Sequence, residues 1–182
     1  NDIRIIEIFR HGFLINLING LLLVGVVYSA SNVLYFINQP PEVVSLSIPY
    51  LTIIASSLIP LLVFQTFKQF TEGLSNTRVA MIIIIASNVV NIFLNYILIF
   101  GHAGFPAMGL VGAGWATLLS RIFMALSFAA YLYYASAFRK FRNGFSLGKY
   151  SSSLVAKMLH LGIPSGVQFI FEVAAFDFSL VM

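Results

Sequence analysis

Three residues spaced along one apolar stretch could carry charge-dependent chemistry. Ser165, Gln168 and Glu172 stand at i, i+3 and i+7, the spacing of a single helix face. Glu172 would lie about 14 residues past a helix start near Met158, roughly 21 Å along the axis and well inside a bilayer. A charge held at mid-bilayer costs about 2.5–3.5 kcal/mol on insertion scales, so an acid kept there usually faces a bundle interior or a wet cavity. A carboxyl in such a site can exchange a proton or hold a hard cation such as sodium through its oxygens. The alternative is a packing role, with the glutamate hydrogen-bonded to a neighbouring helix. Asp177, five residues on, points about 140° away around the helix and lies nearer the far interface. The two carboxylates are therefore not read as one metal site.

Other polar residues interrupt apolar stretches. Arg121 falls midway along one of them, where snorkelling to the interface is hard. It either pairs with a carboxylate or backbone carbonyls to hold helices together, or contacts a substrate. Asn88, Asn91 and Asn95 form a stripe at i, i+3 and i+7 that either hydrogen-bonds across helices or lines a cavity. Gly109, Gly112, Ala113, Gly114 and Ala116 make a small-residue surface for close helix approach, without the Lys and Ser/Thr of a phosphate-binding loop. His11, His102 and His160 show no metal-binding spacing, and no nucleophile–base grouping can be read. Neither enzymatic activity nor a cofactor is expected.

The elements that must position these residues follow from composition. Of 182 residues, 59% are hydrophobic and 9% charged, and the mean hydropathy is +0.95. A soluble domain carries about 25% charged residues, so this chain cannot dress a water-facing surface. Disorder is excluded by the same figures. The absence of cysteine removes disulfide and thiolate chemistry. What remains is an all-α polytopic transmembrane bundle of about five spans, over 12–37, 45–64, 79–100, 109–134 and 158 to the C-terminus. No ten-residue alternation suggests a membrane barrel. Asn38–Glu42 reads as a turn stopped by paired prolines, Gln65–Arg78 as a polar loop, and Gly101–Pro106 as a short turn. The chain starts at Asn1 and stops at Met182 inside an apolar run, which reads as part of a longer protein. Pro49, Pro60 and Pro164 permit bends.

Charge gives the orientation. Arg4 and Arg10 precede the first span, Lys68 and Arg78 fall in the second connection, and Arg139, Lys140, Arg142, Lys149 and Lys157 fall in the segment 135–157. The first and third connections hold no Lys or Arg. This alternation places the N-terminus, the 65–78 connection and the 135–157 linker in the cytoplasm. The net charge of +4 is thus a topological signal facing the lipid bilayer, not a sign of nucleic-acid binding.

Several motifs then resemble one family. Gln65 through Arg78, with Thr71-Glu72-Gly73-Leu74-Ser75, leads into Asn91-Ile92-Phe93-Leu94-Asn95-Tyr96. Gly104-Phe105-Pro106 continues through Gly109, Gly112 and Gly114 to Trp115-Ala116-Thr117, and Leu161-Gly162-Ile163-Pro164-Ser165-Gly166-Val167-Gln168 precedes Phe171-Glu172. In this order they resemble the multidrug and toxic compound extrusion (MATE) transporters, especially the NorM-like branch. The resemblance implies a twelve-helix, two-lobe transporter of which this chain supplies helices three to seven. Residues 1–134 would be four helices of the N-terminal lobe, 135–157 the cytoplasmic inter-lobe linker, and 158–182 the truncated first helix of the C-terminal lobe. The remaining helices would be its partners.

The resemblance also implies a function. It is a secondary antiporter of the cell (inner) membrane that exports small organic cations in exchange for sodium or protons, with Glu172 as the coupling residue. Ser165, Gln168, Asn88, Asn91 and Asn95 are candidate cavity lining, while Arg121 and Asp177 match no family signature. Two alternatives stand beside it: a flippase for lipid-linked saccharides from the same superfamily, and a non-transporting structural subunit. A flippase would be expected to carry a more cationic cavity, and Arg121 is the one intramembrane cation in this sequence.

Overall fold

The computed structural model describes residues 2–31, 40–136, 138 and 150–181, apart from the side chains of residues 2, 170, 173 and 176–181. Six helices run in chain order: α1 (Asp2–Ser31), α2 (Pro41–Ser56), α3 (Leu58–Gly73), α4 (Arg78–Phe100), α5 (Gly109–Tyr134) and α6 (Ser152–Val181). Among the described residues, four segments are long and apolar enough to cross a membrane: Ile3–Ser31, Pro41–Gly73, Arg78–Phe100 and Gly109–Tyr134. The chain is a polytopic helical membrane protein, as composition requires.

Helix boundaries differ from the sequence reading in four places, one being the expected 38–42 turn, whose Pro41 and Glu42 open α2. α1 begins at Asp2, so Arg4 and Arg10 lie on the helix rather than before it. The expected end of the first span, at 32–37, lies outside the described residues, as do Asn38 and Gln39 of the expected turn. The helix of the second span continues to Gly73, which shortens the expected 65–78 loop to residues 74–77. Its polarity was misleading because one face is aromatic: Phe64, Phe67 and Thr71 are buried while Lys68 and Glu72 pair along the outside at 3.7 Å. α6 begins at Ser152, six residues before Met158. Glu172 therefore sits about 20 residues, or roughly 30 Å, past the helix start. Lys157 belongs to the first turns of this helix.

The second span is also not a single helix. α2 and α3 meet at Ser57, which stands in a turn between them. Pro60 has no N–H to give the carbonyl four residues back, that of Ser56, so the ladder is interrupted there. Ser57 repairs part of the break by donating its N–H to Ile53 O at 3.0 Å and its hydroxyl to Ile54 O at 2.6 Å.

α5 is the helix about which the others are arranged, with α2, α3 and α4 all packed on it, while α1 lies against α2 and α3. Lipid offers no hydrophobic drive for association, so close approach of small residues must supply it. α5 does this on two faces. Gly112 lies on the backbone of α4: an added methyl would meet the Leu98 carbonyl carbon at 2.7 Å. That carbonyl is one of the orphan acceptors at the end of α4, and it takes the Met108 N–H at 2.9 Å. Gly114 faces α2, where a methyl would lie 3.3 Å from Tyr50 and 3.4 Å from Ile53 side chains. Deeper in, Ser87 of α4 donates to the Ser120 carbonyl at 3.0 Å. At the other end of α5, Phe128 is fully buried against Phe64 and Phe67, and Phe67 stacks on Phe9 and Phe13 of α1. Gly101 ends α4 in the left-handed conformation (φ 75°), where Ala107 leaves no room for a side chain.

These contacts separate two glycines that look alike in the sequence. Gly112→Ala must displace backbone and is expected to destabilise by about 1–3 kcal/mol. Gly114→Ala meets side chains that can yield a few tenths of an ångström, and should cost clearly less. Thermal unfolding of the detergent-solubilised protein checks the order, and equal melting points for both variants would refute the backbone contact.

Candidate functional site

Ser165, Gln168 and Glu172 of the expected stripe all lie on α6. All three are exposed along it, beside exposed Ile163, Phe169 and Phe171. α6 meets the rest of the bundle through its first turns, where Met158 reaches the position of Gly12 on α1. The Ser165 hydroxyl donates to the Leu161 carbonyl at 3.0 Å. One residue earlier, Pro164 leaves the His160 carbonyl without its helical donor. The stripe therefore follows a weak point in the ladder of its helix. Asp177 is on the same helix, but its side chain lies outside the described residues.

A cleft of about 680 Å³ opens between α1, α3 and the start of α6. Asn16, Asn19 and Gln69 supply its amides, and Met158, Leu159 and Ile163 its apolar wall. Asn16 is fixed by donating to Thr66 Oγ1 at 2.8 Å, which ties α1 to α3. A mainly apolar lining with a few placed amides suits an amphipathic molecule. None of these cleft residues was singled out from sequence. Asn16 and Asn19 stand at i, i+3 on α1 and Gln69 lies on α3, and nothing in the order of residues joins the two helices.

The asparagine stripe of α4 divides. Asn95 donates to Asn91 Oδ1 at 2.9 Å along the helix, and Asn88 is exposed. Asn91 falls in the register of the face that α4 turns to α5, which carries Ala80, Ile83, Ser87 and Leu98, and Asn88 lies off it. No contact across helices is made by the Asn91–Asn95 bond itself.

Arg121 is half-buried and donates to Ser57 Oγ, the residue at the break between α2 and α3. This corrects the expected partner, which was a carboxylate or a backbone carbonyl. The physical reason is the proline break: it turns Ser57 inward at full burial, and its hydroxyl can accept from the guanidinium while donating to Ile54. Arg121 is one heptad beyond Gly114, so the α5 face that admits α2 also delivers the arginine to its hinge.

Residues 3–97, more than half the chain, match the MatE family model. The chain belongs to the MatE family. It is 32% identical over 144 residues to a probable multidrug resistance protein NorM of Photorhabdus laumondii, covering 79% of this chain and 31% of the relative. A probable NorM of Rhizobium meliloti is 32% identical over 167 residues, covering 92% of this chain and 36% of the relative. A NorM of Photobacterium profundum is 31% identical, with 92% and 37% covered. This MatE chain thus spans about a third of the length of the curated relatives it matches.

The fold agrees with solved transporters. An inward-facing multidrug resistance MATE transporter of the MOP superfamily superposes with a TM-score of 0.72 at 23% identity, covering 86% of this chain and 35% of that one. A MOP superfamily transporter from Pyrococcus furiosus, described as having a binding pocket of reversed polarity, superposes at 0.75 and 23% identity over 94% and 37%. MatE is a family of transporters, not of enzymes.

The Ser57–Arg121 contact should behave as a coupled pair. Ser57→Ala leaves a half-buried guanidinium without its hydroxyl partner and should cost about 1 kcal/mol. In an Arg121→Met background the same change should cost markedly less, because the charge needing a partner is gone. A double-mutant cycle read by thermal unfolding tests this, and additive losses would show that the pair is not coupled.

Proposed function

We propose that this chain is part of a secondary antiporter that exports small organic cations in exchange for sodium or protons. The observation that carries the proposal is the exposed stripe Ser165–Gln168–Glu172 on the stretch 161–175 of α6, which is otherwise apolar, in a MatE chain. An acid facing lipid would be costly, so the stripe is read as lining a cavity completed by further helices of the transporter. The names of the NorM relatives support multidrug export, and the apolar, amide-bearing cleft suits amphipathic cargo.

In mechanism, Glu172 would hold the coupling ion, and a lipophilic cation would be attracted by the same negative charge. Loading Glu172 with an ion would shift the equilibrium between inward- and outward-open states by the difference in its affinity for the two. The missing bond at the His160 carbonyl, one turn before Pro164, and the interruption at Ser57 offer places where helices could bend during that change. A flippase reading is disfavoured because Arg121 already serves Ser57 and is not free for a pyrophosphate. A structural subunit would have no use for an exposed acid within an apolar stretch, as Glu172 is.

Efflux of ethidium from cells making the whole transporter tests the proposal. Glu172→Gln, which keeps shape and removes charge, should reach the membrane normally and lose nearly all ion-driven efflux. Glu172→Asp should retain part, and Asp177→Asn should cost much less than either. If Glu172 were a packing group, Gln would be tolerated and Asp would harm by leaving a small cavity, of order 1 kcal/mol. Full efflux by Glu172→Gln at equal membrane levels would overturn the coupling role.

A further inference from the structure

His11 is among the most deeply buried side chains of the described residues, with 1% of its surface exposed, and the transport reading makes no use of it. Both ring nitrogens are engaged. Nδ1 lies 2.7 Å from the Glu7 carbonyl one turn earlier on α1. Nε2 lies 3.0 Å from the backbone N–H of Ser151, 140 residues along the chain and immediately before α6. A carbonyl can only accept and an N–H can only donate, so the two contacts together dictate the tautomer. Nδ1 carries the proton and Nε2 is a bare acceptor. Tyr150 closes over the site, its ring edge-on to the imidazole at 5.2 Å and 68°. The Arg10 guanidinium lies 5.1 Å from the centre of the same tyrosine ring.

We infer that His11 is a proton-releasable latch that pins the segment leading into α6 onto α1. A second ring proton would sit on Nε2 and face the Ser151 N–H, donor against donor, in a site closed to water. The charged ring and the closed contact therefore exclude each other. The latch holds while the imidazole is neutral and opens as pH falls. The other charged groups of the region do not offset this. α1 brings Glu7 and Arg10, and Arg10 already places a cation on Tyr150. The 150–151 segment brings Tyr150 alone, the first turns of α6 bring Lys157 and His160, and α3 brings Lys68 and Glu72, which pair with each other. Opening would free the start of α6, the helix that carries Glu172, to move relative to α1. The inference does not depend on Glu172 binding an ion, because it concerns only how α6 is tethered.

The test is a distance measurement. Arg4 and Ser153 are exposed on either side of the latch, and the 182 residues contain no cysteine. Spin labels on Arg4→Cys and Ser153→Cys in the whole transporter, reconstituted in lipid and otherwise cysteine-free, are compared by pulsed electron resonance at about pH 8 and about pH 5, between which an unperturbed imidazole changes charge. One narrow distance distribution is expected at the higher pH, broadening to longer distances at the lower. His11→Phe should be broad at both. His11→Gln, whose amide oxygen accepts without titrating, should lose the pH response. The inference is overturned by a wild-type distribution that is the same at both pH values, by a narrow distribution in His11→Phe, or by a pH response that survives in His11→Gln.

Discussion

The close approach of α5 to α4 and α2 is the contact on which the remaining geometry depends. In lipid, apolar side chains gain little by meeting one another, so helices associate where small residues let backbones touch. Gly112 rests on the end of α4, and Gly114 admits Tyr50 and Ile53 of α2. A single helix thereby fixes two neighbours at once. The same register carries Ser120 to Ser87 and Arg121 to Ser57. It also sets Phe128 between Phe64 and Phe67. A shift of α5 by one residue would separate all of these together.

The polar groups of the membrane region then fall into two sets. Ser57, Arg121, Asn16, Thr66, Ser87 and Ser120 are turned inward and bonded between helices, which is how a bilayer allows them to exist. Ser165, Gln168, Glu172 and Asn88 are exposed instead. The first set builds the bundle. The second lies on surfaces that a longer MatE transporter would cover or fill with water, and its cost in bare lipid is the physical reason to assign it a role.

Much of this was legible in the sequence. Hydropathy located four of the five expected spans; the fifth, on α6, is not among the described segments long and apolar enough to cross a membrane. Glycine spacing showed which helix would approach its neighbours closely, and the stripe on α6 was read from period alone. Three features were not legible, each for a stated reason. The polar residues of 65–73 concealed an aromatic face, because composition and periodicity pointed in opposite directions there. The partner of Arg121 is a hydroxyl 64 residues away, brought inward by a proline break whose direction no local pattern encodes. His11 looked unremarkable because its partner is a backbone N–H, which every residue other than proline possesses. The lysine- and arginine-rich part of the 135–157 segment, including Arg139, Lys140, Arg142 and Lys149, lies outside the described residues. Just beyond each end of that part, Phe138 packs with Phe70 and Tyr131, and Tyr150 packs on His11.

The central claim is that Glu172 is a titrating or ion-holding carboxylate facing a cavity. Infrared difference spectroscopy of the reconstituted whole transporter addresses it directly, with spectra recorded as sodium is added and as pH is lowered. The account predicts a change in a carboxyl band in at least one of the two experiments, and its loss in Glu172→Gln. Wild-type and Glu172→Gln difference spectra that coincide under both conditions would contradict it.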